Sequence, residues 1–123
     1  MTEYFIVNDE GNEPILSYMR GQLVSILERV GDHATVECGD GYSHSVFMDE
    51  LKPSPCKGNP IPDLYFGDRV IAMMNTQEVH VSHHYIVDDI ARNGLIRVAH
   101  FHPESNEYQQ VKGWYDPACF RID

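Results

Sequence analysis

The sequence predicts a mainly β protein. Its 123 residues, with 42% hydrophobic and 23% charged side chains, are enough for one compact unit or two very small ones. Gly-Asp pairs at 31–32 and 39–40 divide the middle of the chain into pieces of strand length. Within 33–38, apolar and polar residues alternate with the period of a half-buried strand. Short strands joined by tight turns therefore favour an all-β fold.

The amino-terminal segment predicts a hairpin. Residues 4–7 are a run of β-formers, residues 8–12 are a dense turn signal, and residues 15–18 would be the return strand. The alternative is an amphipathic helix over 14–30, because the apolar side chains of that stretch fall on one arc of a helical wheel. That helix would change the fold class to α+β.

Three strands are expected next, at 22–28, 33–38 and 43–48, followed by a short helical turn that leads into a last strand at about 49–53. Four of the seven prolines then fall between positions 53 and 62. Proline of that density predicts a stiff linker, which we place at 55–63.

A second round of the same pattern follows the linker. Residues 67–72 restate residues 21–26, and further strands are predicted at 95–101 and 108–114. The second round is the longer one, because of an insert at about 75–92. Recurrence of this kind is typical of duplicated structural units.

Each half resembles the SH3-like small β-barrels, the group that includes the Tudor and KOW modules. The resemblance covers roughly 20–54 and 64–123, and it rests on a glycine before the first strand and an apolar-capped turn before the last. It implies two SH3-like barrels in tandem, packed as one compact unit and preceded by the hairpin. The expected domains are thus 1–54, the linker at 55–63, and 64–123.

Charge and cysteine content restrict the function. Nine basic against nineteen acidic residues give a net charge of −10, which disfavours direct binding to nucleic acid or to an anionic membrane. No apolar run approaches the roughly 20 residues that span a bilayer, and the first residues lack a secretion-signal pattern. Cys38, Cys56 and Cys119 are widely spaced, which fits free thiols in a reducing cytoplasm.

Catalysis is not expected, and neither is a cofactor. Nucleophilic catalysis needs a nucleophile held beside a base, and no nucleophile motif is present. Cys119 is expected to be a small apolar core residue. A metal site is the weaker alternative, because imidazole is a common zinc ligand. Its candidate ligands are His80, His83, His84, His100 and His102.

Aromatic side chains give the main functional prediction, a non-enzymatic module that binds another protein. Tudor-type barrels read ligands with aromatic residues, and the resemblance implies the same here. Trp and Tyr are also frequent anchors of protein interfaces, and a long insert on a rigid scaffold is a typical binding loop. The predicted partner-binding residues are Tyr85, Asp88, Asp89, Trp114, Tyr115 and Asp116.

An acidic inhibitor is the alternative function. An acidic face can imitate the phosphate track of DNA and occupy a basic, nucleic-acid-binding surface of another protein. Small acidic proteins of this type are produced by bacteriophages against host defence complexes. The acidic surface would be formed by Glu3, Asp9, Glu10 and Glu13.

Overall fold

The fold is all-β, as predicted. A computed structural model describes residues 3–7, 21–76, 78–102, 104 and 107–123. Over these residues the chain forms ten strands arranged in two five-stranded antiparallel sheets. In this part of the chain, no helix is long and apolar enough to cross a membrane.

The first sheet is formed before the proline-rich linker. Its strands are β1 (Tyr4–Val7), β2 (Leu23–Val30), β3 (His33–Cys38), β4 (Ser43–Phe47) and β5 (Leu51–Pro53), with one 3-10 helix (Met48–Glu50) between the last two. The strand order is β4-β3-β2-β1-β5, so the last strand pairs with the first.

The second sheet repeats this arrangement. Its strands are β6 (Arg69–Ala72), β7 (His84–Ile90), β8 (Ile96–His102), β9 (Glu107–Gln110) and β10 (Phe120–Ile122), again with a 3-10 helix (Pro117–Cys119) before the last strand. The order β10-β6-β7-β8-β9 is the first order read from the other end. The two sheets thus share one strand order, and after the two units predicted from the sequence we call them the first and second barrel.

The second strand of each barrel carries the same irregularity. The pairing of β2 with β3 shifts between Ile26 and Glu28, and that of β7 with β8 shifts between Val87 and Asp89. A bulge bends a strand and increases its twist, which a small barrel needs in order to curl. The repeat thus extends from strand order to the position of a single extra residue.

The predicted amino-terminal hairpin is corrected by the pairing of β1. This strand lies between β2 and β5, so it is the first strand of the first barrel rather than a separate element. The alternative of a helix over 14–30 is wrong for 23–30, which is strand β2. The predicted return strand at 15–18 lies outside the described residues.

The predicted correspondence between the two halves of the chain is wrong by one strand. Strand β6 (69–72) corresponds to β1 (4–7) and not to 21–26, because both close their sheets by pairing with the last strand. The expected insert at 75–92 is also corrected, since it contains strand β7 (84–90). Both predictions took Gly21 as the start of the first unit and so left out strand β1.

The two barrels have separate hydrophobic cores of different composition. In the first, the alternation predicted for β3 is confirmed, because Ala34, Val36 and Cys38 are buried together with three valines of β1, β2 and β4. In the second, Tyr115 and Phe120 meet edge to face, with ring centroids 6.3 Å apart. The second core is larger and contains aromatic rings.

Polar contacts join the barrels into one unit. The hydroxyl of Tyr4 donates to the carbonyl of Asn93 at 2.6 Å, and the Asn93 amide donates to Ser25 Oγ and to the Glu37 carbonyl at 3.1 and 3.0 Å. The buried carboxylate of Glu37 also pairs with Arg92. The turn at 91–95 thus inserts its polar groups into the face of the first barrel.

The cysteine prediction is wrong for two of the three residues. Cys56 in the linker and Cys119 in the second barrel form a disulfide with Cα atoms 5.3 Å apart. Their sequence separation of 63 residues did not predict this, because the linker folds back onto the second barrel. Cys119 lies in the core as expected, and Cys38 is a buried thiol outside the disulfide.

Candidate protein-interaction surface

Three of the six predicted partner-binding side chains lie inside the protein. Tyr85 and Tyr115 are each 1% exposed, and Asp116 is 3% exposed. The Tyr115 hydroxyl donates to the Lys112 carbonyl at 2.9 Å, and burial raises the pKa of Tyr115 to about 12. The prediction that these three residues form a surface is therefore corrected. The two tyrosines are buried because a core this small is filled by its large aromatic side chains.

Asp116 has a structural contact at each carboxylate oxygen. Its Oδ1 accepts from the backbone N–H of Ala118 at 2.8 Å, which caps the 3-10 helix. Its Oδ2 accepts from the hydroxyl of buried Ser54 at 2.5 Å, a contact between the second barrel and the end of the first. Asp116 therefore holds the barrels together.

The other three predicted residues do not lie together. Asp88 and Asp89 are at the bulge of β7, where Asp88 Oδ2 accepts from the side chain of Gln110 at 2.7 Å and Asp89 is exposed. Trp114 is half-buried between the barrels, with its ring packed so closely on Gly39 that a Cβ there would overlap it. The six residues are thus not one binding surface.

The structure exposes a different aromatic pair. Tyr65 is 70% exposed and Phe66 is 76% exposed, at the point where the linker enters the second barrel. The turn that carries them is fixed: Tyr65 N–H donates to Asp68 Oδ2 at 2.8 Å, and Asp68 N–H donates to the Tyr65 carbonyl at 3.0 Å. The left-handed backbone of Gly67 (φ 88°) completes the turn.

A groove of about 320 Å³ lies beside Tyr65, and residues of both barrels line it. Its apolar walls include Ile61 and Ile90, which are 38% and 39% exposed. One exposed carboxylate, Asp63 of the linker, also lines the groove. We call this surface the aromatic patch and define it as Ile61, Asp63, Tyr65, Phe66 and Ile90.

None of the six predicted residues belongs to the aromatic patch. One feature of the sequence indicates this patch: two adjacent aromatic residues lie between the proline-rich linker and a Gly-Asp turn. Side chains at such a position stay exposed, because neither the linker before them nor the turn after them is a strand of a sheet that could cover them. Residue type alone did not show this, since buried Tyr85 and exposed Tyr65 are both tyrosines that precede an apolar residue.

The predicted acidic surface is described only in part. Glu3 is exposed, whereas Asp9, Glu10 and Glu13 lie outside the described residues.

Three of the candidate histidines, His80, His83 and His100, form a row of rings. The rings of His80 and His83 are 5.3 Å apart, those of His83 and His100 are 6.3 Å apart, and His84 instead faces the carboxylate of Asp123 at 3.1 Å. The side chain of His102 lies outside the described set. Among the described residues, no group of three or more His, Cys, Asp or Glu side chains could hold a metal ion.

Comparison with models of known protein families and with characterised proteins finds no match for this sequence.

Proposed function

We propose that this protein is a non-enzymatic interaction module that binds a partner protein through the aromatic patch. The observation that carries the proposal is the pair Tyr65 and Phe66, both more than two-thirds exposed on a hydrogen-bonded turn. Contiguous apolar surface on a small protein typically marks an interaction site.

The energetics of the turn favour binding. An aromatic side chain buries about 150–250 Å² in an interface and is frequent among the residues that dominate affinity. The backbone around Tyr65 is already fixed by Asp68, and Gly67 N–H donates to the Val87 carbonyl at 2.9 Å. Binding therefore costs little backbone entropy, since the turn is ordered before the partner arrives.

The chemistry of the partner follows from the surroundings of the patch. Asp63 is exposed beside the apolar groups, and the whole chain carries a net charge of −10. A complementary partner has an apolar pocket for Tyr65 and Phe66 with basic side chains at its rim. Complementary charge speeds association and excludes acidic competitors, whereas the aromatic anchors supply most of the affinity.

A pull-down from the lysate of the source organism tests the proposal. Wild type is compared with the double variant Tyr65→Ala/Phe66→Ala, and bound proteins are quantified by mass spectrometry. Tyr42→Ala is the matched control, because Tyr42 is also 70% exposed and lies on a turn of the first barrel. The proposal predicts a partner retained by wild type and by the control but lost from the double variant. Equal retention by all three proteins would refute it.

Salt dependence separates this function from inhibition by DNA mimicry. A partner held by the aromatic patch stays bound when salt is raised, because buried apolar contacts are not screened. A nucleic-acid-binding partner held by the acidic surface is released steeply instead. The inhibitor remains the second candidate on the strength of the net charge alone.

The cytoplasmic location predicted from the sequence conflicts with the disulfide between Cys56 and Cys119, because disulfides are rare in a reducing cytosol. Thiol alkylation of the protein in cells tests the location: alkylation of both cysteines would support the cytoplasm, and their protection as a disulfide would support an oxidising compartment.

A further inference from the structure

The seam between the barrels contains a second and larger cleft, of about 520 Å³. The first barrel contributes residues 21–23 and Asp40 to its walls, and the second contributes Glu78, Arg97 and residues 112–114. Small-molecule sites typically have volumes of about 300–1,000 Å³ and are frequent at such boundaries. The cleft is distinct from the aromatic patch, with which it shares no residue.

Arg97 is the unexplained group in this cleft. Its guanidinium carbon lies 4.4 Å from the centroid of the Trp114 ring, yet its buried Nε has no hydrogen-bond partner. Within the described part of the chain, no carboxylate forms an ion pair with it. The half-buried Arg97 side chain lines the cleft, so the rest of its guanidinium can pair with an anionic acceptor that comes from outside.

The acidic residues of the cleft are already engaged by backbone. Asp40 Oδ1 accepts from the N–H of Tyr42 at 3.1 Å, and Glu78 Oε2 accepts from the N–H of Lys112 at 3.4 Å. Lys112 itself is exposed and lines the cleft with Arg97. Arg97 and Lys112 are thus the charged donors that the cleft offers a ligand, beside two carboxylates, in a protein that carries nineteen acidic residues against nine basic ones.

Trp114 gives the cleft an apolar wall. Its ring is held from behind by Gly39 of the first barrel, where any side chain would overlap it. Half-buried Leu23 lines the same cleft from β2. An anion that fits this site combines a charged head for Arg97 and Lys112 with an apolar body.

We propose that the seam cleft binds a small organic carboxylate. The carboxylate accepts hydrogen bonds from Arg97 and Lys112, because a guanidinium and an ammonium are the strongest partners that proteins offer to this group. The apolar body lies against Trp114 and Leu23. This site does not depend on the aromatic patch.

Fluorescence gives a direct test, because Trp114 is the single tryptophan of the chain. Purified protein is titrated with hexanoate and, as a matched probe of opposite charge, with hexylammonium. The proposal predicts a saturable change in Trp114 emission with hexanoate and none with hexylammonium. An equal response to both probes, or no saturable response to hexanoate, would overturn it.

Variants locate the site. Arg97→Gln is expected to weaken hexanoate binding about tenfold or more, the effect of losing a charge-assisted hydrogen bond. Lys112→Gln changes an exposed side chain without risk to folding and should weaken binding severalfold. Arg121→Gln, which removes one positive charge from exposed β10, is the control and should bind like wild type. Unchanged affinity in both cleft variants would contradict the assignment, whereas Tyr65→Ala/Phe66→Ala should leave hexanoate binding intact.

Discussion

The two barrels share a strand order and a bulge position, but they are stabilised differently. The first barrel has a core of small side chains, mostly valine, with a buried thiol at Cys38. The second has a larger core that contains Tyr85, Tyr115 and Phe120, and a disulfide ties that core to the linker. The comparison shows that one topology accepts either solution, and it indicates that the second barrel is the more stable of the two.

Hydrogen bonds across the seam between the two barrels stabilise the first barrel, which has the smaller core. Tyr4, Ser25 and Glu37 of the first barrel, and Ser54 at its end, all have hydrogen-bond partners in the second. These partners belong to the 91–95 turn or to the cap of the second barrel's 3-10 helix. We therefore expect the barrels to unfold together in a single transition.

Removal of the disulfide should have the largest effect. In the chain-entropy treatment, a crosslink across the observed separation of 63 residues stabilises by about 4 kcal/mol. Cys56→Ser/Cys119→Ser should thus lower the free energy of unfolding, measured by urea denaturation, by about that amount. Added reductant should lower the stability of wild type but not that of the double variant. Thiol titration of the denatured wild type should find only Cys38 reactive, and reaction of all three cysteines would contradict the disulfide.

Ser54→Ala should have an intermediate effect and act on the seam. It leaves the buried Oδ2 of Asp116 without its donor, and loss of a hydrogen bond to a charged group costs about 2 kcal/mol. If the seam couples the barrels, the single unfolding transition should broaden or divide into two. Ser45→Ala is the control, because Ser45 is an exposed serine of β4. Equal stability of the two variants in urea denaturation would show that the contact contributes nothing.

Alkaline pH is the third test and reports on the buried thiol of Cys38. Burial, with Asp40 and Glu37 nearby, raises the pKa of Cys38 from 9.0 to about 11. Between these values the unfolded chain has lost the proton and the folded chain retains it, so stability falls as pH rises from 9 to 11. Cys38→Ala should remove part of this fall. The corresponding losses from Tyr4 in the first barrel and Tyr115 in the second begin about one pH unit higher, at the ordinary tyrosine pKa of 10.0.

The measurement is urea denaturation of wild type and Cys38→Ala across this pH range. Parallel slopes for the two proteins between pH 9 and 11 would contradict the assignment of that loss to the thiol.

Local patterns in the sequence predicted local structure well. The alternation in 33–38 and the Gly-Asp turns placed strands β3 and β4 correctly, because period and turn chemistry act over a few residues. The position of β1 between β2 and β5 was missed, since that choice depends on pairing with residues far along the chain. The disulfide was missed for the same reason.

The candidate site was predicted less well than the fold. Tyr85 and Tyr115 were placed on the surface and Tyr65 was not chosen, although burial reverses that order. An aromatic side chain suits a core and an interface equally, and only the three-dimensional environment decides between them.

Hydrogen exchange on the complex with the captured partner tests the central claim most directly. Backbone amides are compared in free and bound protein by mass spectrometry. The account predicts new protection at 61–68 and 88–91, which carry the aromatic patch, and none at the 39–42 turn of the first barrel. Protection confined to the 39–42 turn, with 61–68 exchanging as in the free protein, would contradict it.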